Sequence, residues 1–63
     1  MDKKTHFDNM SLVFNSGKRL SYRNGWFEIE NQFMIISFND NNIINCEIFN
    51  LDKISRFTYK QKK

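Results

Sequence analysis

The stretch Leu20-Ser21-Tyr22-Arg23-Asn24-Gly25-Trp26-Phe27-Glu28-Ile29 decides how this chain is read. Apolar and polar residues alternate on both sides of Asn24-Gly25, which is the period of half-buried strands. Asn-Gly suits the two positive-φ positions of a type I′ turn, whose twist matches a two-residue hairpin. Pairing Arg23 with Trp26 sets Tyr22 opposite Phe27 and Leu20 opposite Ile29 on one face. The other face then sets Ser21 against Glu28 and Arg19 against Glu30. Apolar meets apolar and positive meets negative, the pairings that stabilise a hairpin.

Upstream, Met10-Ser11-Leu12-Val13-Phe14 reads as a strand closed by the turn Asn15-Ser16-Gly17, and residues 1–9, without periodicity, as a loose arm. Downstream, Phe33 to Phe38 is apolar except at Ser37, as expected of a strand that is central or covered on both sides. A three-residue loop, Asp40 to Asn42, pairs Phe38 with Ile44, Ile36 with Cys46 and Met34 with Ile48. Asn50 to Ile54 reads as one helical or 3-10 turn. Phe57 and Tyr59 then alternate with Arg56, Thr58 and Lys60 in a last strand.

The expectation is therefore an all-β domain over residues 10–60, followed by a basic tail at 61–63. It has five or six short antiparallel strands in meander order and one 3-10 turn before the last. This order resembles the SH3-like small barrels, and the resemblance implies a small barrel or a curved sheet. A pleckstrin-like half-barrel is the alternative. The run Phe49-Asn50-Leu51-Asp52-Lys53-Ile54 followed by Phe57 also looks like very short proteins of phages and bacterial mobile elements. That second resemblance implies an accessory or inhibitor protein in a bacterial cytoplasm.

Composition agrees with strands: seven Phe, seven Ile, two Tyr and one Trp occur with no Ala. Sixty-three residues make one domain, which buries only about 60% of the surface its unfolded chain exposes. Scaffolds this small usually add disulfides, a metal or a partner subunit. A single cysteine, Cys46, excludes an internal disulfide, and a single histidine, His6, leaves no cysteine/histidine metal cluster. Self-association is the remaining staple. No apolar run approaches the roughly 18 residues of a membrane span, and no signal-peptide core follows Met1 to His6. The expected setting is cytoplasmic, with a reduced thiol.

Catalysis needs a nucleophile, a base and an orienting group within reach. Cys46 falls between Ile44 and Ile48 on the expected apolar side of its strand, where a thiol is a small core residue. His6 reads as a solvated residue of the arm. Gly17 and Gly25 are both assigned to turns, so no phosphate loop is left, and Asp40-Asn41-Asn42 lacks the distal Glu of a calcium loop. No catalytic, cofactor or metal site and no small-molecule substrate is expected.

The net charge of +3 does not by itself indicate nucleic acid. Residues 1–4 carry +1 and residues 60–63 carry +3, which leaves −1 for Thr5 to Tyr59. Along that body Lys18, Arg19 and Arg23 precede Glu28, Glu30, Asp40 and Glu47, so it reads as dipolar. The surplus of hydrophobic residues is more informative. Leu12, Phe14, Leu20, Tyr22, Phe27, Ile29, Met34, Ile36, Phe38, Ile44, Ile48, Phe57 and Tyr59 fill one face. The opposite face still carries Val13, Trp26, Phe33, Ile35, Ile43 and Phe49, more than one small core holds, and large exposed apolar patches mark binding sites.

The function expected is a non-catalytic protein-binding module, homodimeric, that occupies a partner's surface. Trp26, Phe33, Ile35 and Phe49 form its contact, with a rim of Arg19, Arg23, Glu28 and Glu30. The alternative is a small-barrel binder of RNA or single-stranded DNA through Lys18, Arg19, Arg23 and the Lys-rich C-terminus. A subunit of a larger particle is a third reading.

Overall fold

The computed structural model describes residues 4–62, and these form one five-stranded antiparallel sheet. Its strands are β1 (Thr5–Phe14), β2 (Arg19–Glu30), β3 (Phe33–Asp40), β4 (Ile43–Asn50) and β5 (Ile54–Gln61). The spatial order is β4-β3-β2-β1-β5. The first four strands are a meander, whereas β5 pairs with the far side of β1. A single 3-10 turn, Leu51–Lys53, therefore carries the chain from one sheet edge to the other. Three residues at about 2 Å rise cover about 6 Å, so the sheet must curl until its edges approach at that end. The Asn15 amide donates to the Lys53 carbonyl at 2.9 Å, and the Leu51 amide to the Gln32 carbonyl at 2.7 Å. No ladder joins β4 to β5, and the sheet is open, not closed into a barrel. Among the described residues no helix is long and apolar enough to cross a membrane.

Two expected turns differ. Asn24-Gly25 does not reverse the chain, because Arg19 to Glu30 is one continuous strand. Arg23 pairs with Asn9 and Tyr22 with Met10, while Trp26 pairs with His6 and Ser37. The expected pairs Arg19–Glu30 and Ser21–Glu28 are thus replaced by other rungs. Residues 5–9 are the reason. Instead of a loose arm they form the first half of β1, and Thr5 to Phe7 pair alongside Gly25 to Phe27. Asn24 alone of the dipeptide takes positive φ, at 52°. There the inward-facing set steps by three, from Tyr22 to Gly25, and β1 steps likewise from Met10 to Phe7. The β1–β5 register shifts between Phe7 and Asn9 as well. Asn24 and Asp8 mark a shared bend that lets both strands follow the curl.

The β3–β4 turn is one residue shorter than expected. Asn41 and Asn42 both hold positive φ, 53° and 66°, as a type I′ turn requires. Asp40 accordingly pairs with Ile43, Phe38 with Asn45, Ile36 with Glu47 and Met34 with Phe49. A slip of one residue moves every side chain of a strand to the other face. Ile44, Cys46 and Ile48 consequently lie exposed, and Cys46 is no core residue. Phe49 turns inward, where its ring packs 5.5 Å from Phe14.

The core is Phe7, Met10, Leu12, Tyr22, Phe27, Met34 and Ile36, with Phe14, Leu20, Phe38, Phe49, Leu51, Ile54 and Phe57 packed against it. Phe27 sits at its centre and meets Phe57 and Tyr59 edge-on at 5.9 and 5.0 Å. Tyr22 spans the open side of the curl, where its hydroxyl donates to Glu47 Oε1. Burial first, then that hydrogen bond and the Glu47 charge, raise the Tyr22 phenol well above its ordinary range. In the unfolded chain it ionises at about 10. Because the folded state keeps the proton to higher pH, stability is fully present below about pH 10 and is lost as pH rises beyond it. Denaturant midpoints measured between neutral pH and about pH 11 should fall less steeply for Tyr22→Phe than for the parent chain.

Candidate functional site

The inner face of the sheet holds the core and a cleft lined by Tyr22, Phe38, Glu47 and Phe49. The outer face and the free strand edges are the other surfaces that the molecule offers to partners. The antiparallel rungs specify the outer face. Over β2–β3–β4 they run Trp26–Ser37–Cys46, Glu28–Ile35–Ile48 and Glu30–Phe33–Asn50, with Ile44 beside Asn39. The result is an apolar patch of Phe33, Ile35, Ile44 and Ile48, bounded by Trp26 and by the carboxylates of Glu28 and Glu30. Ile48 is 65% exposed, Ile44 53% and Phe33 41%. Ser37 is buried beneath it, with its hydroxyl 3.0 Å from the Cys46 thiol.

The residues expected to form one contact therefore separate. Trp26, Phe33 and Ile35 do share the outer face with Glu28 and Glu30. Phe49 and Ile43 leave that face with the β4 register, and Ile44 and Ile48, expected inside, take their place. Arg19 and Arg23 are exposed on the outer face beyond the Asn24 bend. Lys18 lies in the β1–β2 turn, beside a cleft lined by Tyr22, Asp40 and Glu47. His6 is part of β1 rather than of an arm, and its ring lies 5.8 Å from that of Trp26, with Lys4 Nζ 5.8 Å from the Trp26 centroid. Applied to Asn41-Asn42, the positive-φ reasoning used for Asn24-Gly25 identifies Ile44 and Ile48.

β4 is also a free edge of the sheet. The two-residue turn makes Asp40–Ile43 a hydrogen-bonded pair, and antiparallel alternation repeats this at Asn45, Glu47 and Phe49. The amides and carbonyls of Ile44, Cys46 and Ile48 then point away from β3. Unpaired edge groups beside exposed Ile are a template for another strand.

Fold and surface define a small all-β domain whose free edge strand carries exposed aliphatic residues. Compared with family models, curated proteins and solved structures, this chain matches none of them.

Proposed function

We propose that this protein is a non-catalytic protein-binding module and that its first partner is a second copy of itself, joined through β4. The observation that carries this reading is that β4 is self-complementary. An antiparallel β4–β4 pair centred on Cys46 sets Ile44 against Ile48 and Ile43 against Phe49 of the other copy. It also sets Asn45 against Glu47, an amide against a carboxylate. Ile43, Ile44 and Ile48, the three most exposed of the large hydrophobic residues among those described, all gain apolar partners at once. A two-fold interface uses the same patch on both subunits, and this register satisfies that condition. The joined sheets present two copies of the Trp26–Phe33–Ile35 surface to a further protein.

The two Cys46 Cα atoms of such a pair lie about 5.5 Å apart. A short bis-maleimide should therefore link the chains in high yield through Cys46, and light scattering should give twice the chain mass. Ile48→Asp, which places an unpaired carboxylate against Ile44 of the other copy without touching the core, should give a folded monomer that does not cross-link. A parent chain that stays monomeric at high micromolar concentration sinks the proposal. So does an Ile48→Asp chain that still dimerises.

A further inference from the structure

The other half of the outer face has a different character. Across β2–β1–β5 its rungs run Arg19–Val13–Arg56, Ser21–Ser11–Thr58 and Arg23–Asn9–Lys60. Four cations at two corners of each long side enclose hydroxyl and amide groups. All four are exposed. Strands lie about 4.8 Å apart and rise about 3.3 Å per residue, so their Cα atoms outline a rectangle of about 10 by 13 Å. Beyond the Asn24 bend the same rows continue into the neighbouring His6 and Trp26 rings. Lys62, whose amide donates to the His6 carbonyl at 3.0 Å, and Lys4, over the Trp26 ring, flank those rings. Among the described residues, the acids adjoining the surface are Asp8, in the β1 bend, and Glu28, the next outer residue of β2 after Trp26.

We propose that this surface binds single-stranded nucleic acid, with its phosphates along Arg19, Arg23, Arg56 and Lys60 and a base against His6 and Trp26. A cationic track that leads onto aromatic rings serves both parts of a nucleotide. A membrane surface or an acidic protein also uses the cations and can seat Trp26 as an interfacial anchor. The paired His6 and Trp26 rings at the end of a cationic track, however, are suited to stacking on a base. Sequence order conceals the site, because β5 brings Arg56 and Lys60 beside Arg19 and Arg23 only through β1. Lys18, in the turn, is outside it. The cationic part lies across β2–β1–β5, away from β4, and stays open in the proposed dimer, so it stands or falls independently of that dimer. Trp26 is shared with the surface offered to a further protein, so that protein and the nucleic acid exclude one another.

The test uses the single tryptophan as its probe. Mixed-sequence single-stranded RNA and DNA oligonucleotides should quench Trp26 fluorescence on titration, with affinity falling steeply as salt rises. On a single strand each phosphate neutralised contributes about 0.7 to the slope of log K against log salt. The double variant Arg56→Gln, Lys60→Gln alters two exposed side chains and should reduce that slope by about 1.4. Inorganic polyphosphate should bind more weakly and leave the fluorescence unchanged. The proposal is overturned if no oligonucleotide binds, if the double variant binds with the parent's slope, or if polyphosphate or anionic phosphatidylserine vesicles compete as well as the oligonucleotides do.

Discussion

Gly25→Ala should remove most of this protein's stability. A Cβ at that position stands 2.2 Å from the Ser37 carbonyl oxygen and 3.2 Å from the Phe38 Cα, both parts of the β3 backbone. On the same side it meets the Phe7 Cζ at 3.0 Å. Neither β3 nor a fully buried Phe7 can yield as the tip of a surface side chain would. Overpacking typically costs 1–3 kcal/mol, and an overlap with backbone belongs at or above about 3 kcal/mol. A core of this size supplies roughly 3–5 kcal/mol of net stability, so the one methyl group removes most of it. Gly17 is the control. It needs glycine for its φ of 94°, and a Cβ there meets nothing within 4 Å. Gly17→Ala should cost about 1–2 kcal/mol and leave the fold intact. Circular dichroism and urea titration separate the two. Equal effects at the two glycines would mean that β3 does not approach Gly25 as described.

Phe7→Ala should be nearly as damaging. Its side chain is fully buried, 6.3 Å from the Phe27 ring, and it closes the end of the core at the Asn24 bend. Phe-to-Ala changes in cores cost about 3–5 kcal/mol, because the cavity adds to the lost transfer energy. A residue in a loose arm would cost within about 0.5 kcal/mol. Thermal melts of Phe7→Ala therefore measure whether residues 5–9 belong to the domain. A melting temperature equal to the parent's would return them to the arm.

Phe7 shows why part of this fold could not be read locally. Lys4-Thr5-His6-Phe7-Asp8-Asn9 has no alternation, since the bend at Asp8 shifts the inward positions by one just where a pattern would start. Phe7 and Met10 share a face at a spacing of three, which no strand template expects. The mirror of that bend on β2 is Asn24. An Asn that holds positive φ serves a bulge in a long strand as well as a hairpin, and local chemistry does not distinguish them. The choice is made by whether another segment is there to pair, and here β1 is. The β3–β4 turn was within reach of the sequence, because two consecutive Asn suit the two positive-φ positions of a type I′ turn. The extra residue assigned to that loop exchanged the faces of all of β4, and with them Ile44, Cys46, Ile48 and Phe49.

The outer surface divides in the same way. Trp26, Phe33 and Ile35 were legible as a surplus beyond one core, since period-2 alternation fixes the face once a strand is recognised. The joining of Arg56 and Lys60 with Arg19 and Arg23 was not, because charge counted along the chain averages over faces.

By itself the sequence determined an all-β domain with strands at β3, β4 and β5, a turn at Asn15 to Gly17, and a 3-10 turn before the last strand. These follow from alternation and turn chemistry, which act over a few residues. Tertiary structure alone decided that Asn24-Gly25 bends rather than reverses the chain, that Phe7 is core, and that the sheet curls without closing. It alone placed a basic surface at one end of the outer face and an aliphatic edge at the other. Each of those depends on which distant segment lies alongside, and the free energy that selects it comes from buried area and from close approach at a missing Cβ, quantities that exist only once the strands are assembled.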